Sequence, residues 1–106
     1  MVKEIDSADF EKELGSEKPV VADFWAPWCG YCRRLAPMYD RLDEQYGDKI
    51  SFVKVNVDNN AALAGKYGVA SIPTLILFEG GAVKSEIVSP ESQAVAEKWL
   101  KDNGAL

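Results

Sequence analysis

Two cysteines, Cys29 and Cys32, are the only thiols in the chain, and two residues separate them in Trp28-Cys29-Gly30-Tyr31-Cys32. A thiol pair can bind metal, attack a substrate with help from a base, or exchange disulfides. The chain has no histidine. That removes the Cys–His pair of cysteine proteases and every His-ligated metal site. Zinc takes four ligands, which two thiols cannot supply; a cluster shared between two chains is the metal reading that survives. Disulfide exchange needs the pair alone. One thiolate attacks, and the second sulfur closes a ring with the first.

The surroundings of the pair favour exchange. An almost continuous apolar run, Val20 to Ala26, precedes it, and a helix-periodic stretch, Arg33 to Tyr46, follows. The pair therefore sits at a strand-to-helix junction, where Cys-x-x-C reads as a redox motif. Unpaired N–H groups and the positive end of the helix dipole hold a thiolate there. Asp23 interrupts the apolar run. Buried, it loses hydration and its pKa rises toward neutrality, which makes it a proton acceptor at working pH; at the strand end it would instead reach solvent. Lys54 reads equally as a solvated strand lysine or as a charge partner of Asp23. Trp28, just ahead of the helix, suits a docking surface. Arg33 and Arg34 read as solvated.

The elements that position these groups follow from periodicity and punctuation. Val2 to Ile5 is a weak first strand. Asp6 caps a helix, with Ile5 and Phe10 placed as a hydrophobic staple and Gly15 as its end. Val20 to Ala26, apolar on both faces, is a central parallel strand. Leu35, Met38, Tyr39, Leu42 and Tyr46 give the next helix one apolar face, kinked at Pro37 and closed by Gly47. Ile50 to Val57 is a buried strand. Asn59 or Asn60 caps a short helix carrying Leu63 and Tyr67, stopped by Gly68. Thr74 to Phe78, the hairpin signal Glu79-Gly80-Gly81 and Ala82 to Val88 make two more strands, the last at an edge. Ser89 as N-cap with Pro90 at the first helical position opens a final helix with Val95, Trp99 and Leu100 on its apolar face. The order β-α-β-α-β-α-β-β-α predicts an α/β fold. Its mixed sheet is mostly parallel, with helices on both faces and an antiparallel edge hairpin.

The chain has 106 residues, enough for one domain over 1–106. A formal charge of −5 argues against nucleic acid, and no apolar run reaches membrane-spanning length. The N-terminal Met-Val-Lys-Glu-Ile-Asp carries no apolar signal segment, so a cytoplasmic protein is expected. No G-x-G-x-x-G is present, so no nicotinamide or flavin cofactor is expected and electrons must come from another protein.

The chain resembles the thioredoxin family over nearly its whole length. The resemblance is carried by Asp23-Phe24-Trp25-Ala26-Pro27-Trp28-Cys29-Gly30-x-Cys32, Ala36-Pro37, Lys54-Val55-Asn56-Val57-Asp58, Tyr67-Gly68-Val69 and Ile72-Pro73-Thr74-Leu75. It implies the thioredoxin fold and a monomer that reduces protein disulfides and is recharged by a thioredoxin reductase. It implies that Cys29 is the exposed attacking thiol and Cys32 the buried resolving one. Asp23 would exchange a proton with Cys32, with Lys54 beside it. Pro73 would be a cis-proline facing the disulfide, although sequence alone favours trans. Ile72 would pair with the substrate backbone, and Trp28, Gly30 and Tyr31 would form the docking surface.

The chain departs from the commonest family pattern at Tyr31, where proline is usual, and at Ser89, where glycine is usual. A free Tyr31 N–H could stabilise the Cys29 thiolate and raise the potential toward an isomerase or oxidase. A side chain at Ser89 reshapes the substrate groove. A third reading is a binding module that uses the Trp28 and Ile72 surface without turnover.

Overall fold

The computed structural model describes residues 2–106. The elements run β1 (Lys3–Glu4), α1 (Ser7–Leu14), β2 (Val20–Trp25), α2 (Gly30–Tyr46), β3 (Ser51–Asn56), α3 (Ala61–Lys66), β4 (Thr74–Glu79), β5 (Ala82–Val88) and α4 (Gln93–Asp102). They form one five-stranded sheet in the order β1-β3-β2-β4-β5. β2 is the central strand, as its two apolar faces require.

β2 alternates cleanly. Val20, Ala22 and Phe24 join Phe10 and Leu14 of α1 and Leu63 and Ala64 of α3 in one core cluster. Val21 packs on the other side with Leu35, Met38, Tyr39 and Leu42 of α2 and with Ala96 and Leu100 of α4. Side chains alternate along a strand, so Asp23 faces the α2 side. Helices thus cover both faces of the sheet.

Strand direction differs from the expectation in one respect. β1 and β2 each pair parallel with β3. β4, however, runs antiparallel to β2, with Phe24 opposite Thr74, and β5 antiparallel to β4. The antiparallel part is therefore the whole hairpin, reaching the centre of the sheet. The connection through α3 does not return the chain along β3. β4 therefore starts at the end where β2 and β3 finish, and that end holds the cysteines.

Local chemistry explains the boundaries. Asp6 caps α1, its carboxylate accepting from Ala8 N at 3.1 Å and Asp9 N at 3.3 Å. Ile5 and Phe10 are buried in the same cluster, as a staple requires. α2 continues through Pro37. Gly80 and Gly81 take φ of 61° and 82°, the left-handed pair that a two-residue hairpin turn needs.

Three local expectations are corrected. Asn60 holds the N-cap position of α3 but makes no capping bond. Its Oδ1 accepts instead from Ser7 N at 2.8 Å and Ser7 Oγ at 2.9 Å, tying α3 to the start of α1. Ser89 is not an N-cap. α4 begins later, capped by Ser92, whose Oγ accepts from Val95 N at 3.2 Å. Val95, expected on the apolar face, is 40 % exposed, while Ala96 and Leu100 are buried.

Candidate active site

The site is built where β2 ends and α2 begins. Cys29 is the N-cap of α2 and Gly30 its first residue. Cys29 Sγ accepts the backbone N–H of Cys32 at 3.2 Å, which answers one of the unpaired donors of a helix start. The two cysteines are joined as a disulfide. Both are buried in a small cluster with Ala26, bordered by Trp25, Tyr31, Val57 and Ile72. Cys29 is the more accessible, at 8 % against 3 % for Cys32. The order of exposure follows the expectation, but Cys29 is far from open in the oxidised state.

The N–H that reaches Cys29 Sγ belongs to Cys32, not to Tyr31. The argument that a free Tyr31 N–H raises the potential therefore loses its contact. Tyr31 instead uses its hydroxyl, which lies 3.3 Å from Ser89 O and 3.2 Å from Pro90 O. Arg34 covers its ring, with the guanidinium carbon 5.1 Å from the centroid. Arg33 donates to Pro27 O at 2.8 Å. Both arginines are exposed, yet each is held against the active-site turn.

Asp23 is 1 % exposed, and its Oδ1 has no hydrogen-bond partner. Loss of hydration pushes its carboxyl up to about 7, against the opposing pull of the Lys54 charge. Asp23 and Lys54 lie directly opposite each other on β2 and β3. The ammonium does not pair with the carboxylate by hydrogen bond; it sits 4.3 Å from the centroid of the Trp25 ring. That cation–π seat keeps the charge near Asp23 without cancelling it. No hydrogen bond joins Asp23 to Cys32.

The other predicted residues gather around the disulfide. The Ile72–Pro73 bond is cis, and Ile72 O lies 4.0 Å from Cys29 Sγ. Ser89 N donates to Pro73 O at 2.9 Å, and Ser89 takes a φ of 47°. Trp28 is 67 % exposed. Its indole Nε1 donates to both carboxylate oxygens of Asp58 at 3.1 Å. A shallow apolar groove beside it is lined by Trp28, Val57, Ala64, Val69, Ala70 and Ile72.

Sequence reasoning missed two members of this site. Asp58, which fixes Trp28, is separated from it by thirty positions; the only signal was its place in the segment Lys54 to Asp58. Trp25, which seats Lys54, was read as part of the apolar run and of the family segment, with no role of its own. Among the described residues, no group of three or more His, Cys, Asp or Glu is placed to hold a metal ion.

A disulfide capping a helix, on a mixed sheet with helices on both faces and beside a cis-proline, defines a class of thiol–disulfide exchange proteins. The thioredoxin family profile matches residues 1–102. Thioredoxin 1 of Nostoc sp. is 51 % identical over 96 residues, covering 91 % of this chain and 90 % of that protein. The thioredoxin of Streptomyces clavuligerus is 47 % identical over 95 residues, covering 89 % and 88 %. The M-type chloroplastic thioredoxin of Pisum sativum is 45 % identical over 96 residues, covering 91 % and 56 %. The chain belongs to the thioredoxin family and is a thiol–disulfide oxidoreductase. The isomerase-like, oxidase-like and binding-module readings are not favoured.

Proposed function

We propose that this protein acts as a general reductant of protein disulfides, as one domain and as a monomer. The observation that carries the exchange chemistry is the seat of Cys29 Sγ at the N-terminus of α2, on the Cys32 N–H, and the relation to thioredoxins suggests its reducing direction. After reduction, that N–H and the helix dipole favour a Cys29 thiolate. The thiolate attacks one sulfur of a substrate disulfide and expels the other as a thiolate, leaving a mixed disulfide. Cys32 then loses its proton and attacks Cys29 Sγ, which re-forms the Cys29–Cys32 bond and expels the second substrate sulfur. Two electrons pass from the dithiol to the substrate, and two protons leave with them.

Asp23 takes the Cys32 proton in this scheme. A carboxyl near 7 is poised to accept and release protons at neutral pH. Lys54 is its charge neighbour. Trp28, Gly30 and the Tyr31 ring meet the substrate surface, and Ile72, Pro73 and Ser89 receive its backbone. The chemistry calls for no cofactor besides the cysteine pair. A thioredoxin reductase is the electron donor that the family relation suggests. Nucleic acid and membranes are not partners in this reading, and no described helix is long and apolar enough to cross a membrane. We place the protein in the cytoplasm, where reducing conditions keep such a dithiol charged.

The test is the midpoint potential of the Cys29–Cys32 pair in glutathione buffers. Thioredoxins are themselves the reference case, at roughly −270 mV, and a value near it supports a general reductant. A value at roughly −180 mV or above, where protein disulfide isomerase lies, reverses the direction of electron flow and sinks the proposal.

A further inference from the structure

The Tyr31 hydroxyl leaves the active-site helix and reaches the loop between β5 and α4. It stands between two carbonyls, Ser89 O at 3.3 Å and Pro90 O at 3.2 Å, and shares its one proton between them. Among the described residues, Ser89 is the only non-glycine with a positive φ, at 47°. Side chains rarely adopt that conformation, so something must hold it. Two ties do. The Ser89 N–H donates to Pro73 O at 2.9 Å, and the Ser89 carbonyl accepts from Tyr31. Pro90 is buried next to it. From Pro73 the chain steps to Ile72, whose carbonyl lies 4.0 Å from Cys29 Sγ. These contacts close a circuit around the disulfide, Cys29–Tyr31–Ser89–Pro73–Ile72. Arg34 packs on the Tyr31 ring, 5.1 Å from its centroid, and restrains it from swinging away.

We propose that the Tyr31 hydroxyl is a positioning group for polypeptide substrates. It holds Ser89 in the left-handed conformation and so fixes the wall, made by Ser89 and Ile72–Pro73, on which the substrate backbone lies. The hydroxyl is spent on the two carbonyls and donates to neither sulfur. Its contribution is therefore to recognition of an extended chain, and a small disulfide that never touches the wall gains little from it. This inference rests on the reading that Ile72–Pro73 receives the substrate chain.

The test uses pre-reduced protein mixed with insulin and, in parallel, with the small disulfide 5,5′-dithiobis(2-nitrobenzoate). For Tyr31→Phe, the insulin concentration giving half the limiting rate rises about threefold to tenfold, the scale of one lost hydrogen bond. The limiting rate changes less than about twofold, and the preference for insulin over the small disulfide falls with the binding. Glycine accepts the left-handed region without help, so adding Ser89→Gly to Tyr31→Phe recovers most of the loss. That recovery separates positioning from general damage. An equal loss on both substrates, a loss confined to the limiting rate, a shifted midpoint potential, or no recovery in the double variant overturns the proposal. Unaltered protein that reduces the small disulfide but not insulin removes the reading it rests on, and that outcome appears before any variant is made.

Discussion

Asp23 concentrates the physics of the site in one residue. The fold holds its carboxyl near 7 by stripping its water, against an ordinary value of 3.8. Below about pH 4 the group is neutral folded or unfolded, and its charge costs nothing. From about pH 4 to 7 the unfolded chain has lost the proton that the folded chain keeps, so stability falls as pH rises. Above about pH 7 both states are ionised and the deficit levels off, on the order of 4 kcal/mol. Asp23→Asn should therefore stabilise the protein by almost nothing near pH 4 and by about 3–4 kcal/mol above pH 7. Urea midpoints across that range measure this, and a gain independent of pH would assign the effect to packing. If Asp23 is the proton acceptor, the same variant slows release of reduced substrate and loses the rise in rate through neutrality. Lys54→Met removes the charge that lowers the Asp23 pKa and should move it above 7, read by carboxyl chemical shifts in a pH titration. Asp23 was legible in the sequence because an acid inside an apolar run is conspicuous. The partners that complete the site were not. Trp28 and Asp58, or Tyr31 and Ser89, carry no mark in the sequence that pairs them, and only the folded sheet ends bring them together.

Among the elements, ends proved harder to read than faces. The apolar stripes of α1 and α2 were legible because 3.6-residue spacing is set by the residues themselves. The start of α4 was not. Ser89-Pro90-Glu91 and Ser92 offer two N-caps, and the choice fell to Ser92 because Ser89 is held by Pro73 and Tyr31. Ser92→Ala should cost about 1 kcal/mol, the usual worth of such a cap. Asn60→Ala should cost about 1–3 kcal/mol for a different reason. It leaves the Ser7 N–H and hydroxyl without their acceptor and so loosens α1 as well as α3. Hydrogen exchange separates the two cases: the first loosens α4 alone, and the second loosens amides at the start of α1. The direction of β4 was equally hidden. Its residues fit either orientation, and the connection from β3 is long enough for either.

In the whole molecule, two cores pack on the two faces of one sheet. Phe10 is fully buried in the first, with edge-on contact to Phe78 at 5.5 Å between ring centroids. Phe10→Ala should cost about 3–5 kcal/mol, seen as a lowered urea midpoint with the disulfide still reducible. The disulfide itself closes a very short loop, with a sequence separation of 3. On chain entropy alone such a ring contributes about 2 kcal/mol. The oxidised form should therefore outlast the reduced form in urea by about that amount, compared with and without dithiothreitol. The architecture as a whole was legible because strand–helix alternation leaves few topologies. The family motifs placed the chemistry at one end of it.

The reversal at β4 gives the molecule two poles. The disulfide, the cis-proline and the Ser89 loop crowd the pole where β2 ends and β4 begins. The Gly80–Gly81 turn caps the opposite pole, exposed to solvent. A linker joined there would hold the protein to a bead or an electrode with its reactive end facing outward. The fold thus carries its own handle, as far from the working sulfurs as the sheet is long.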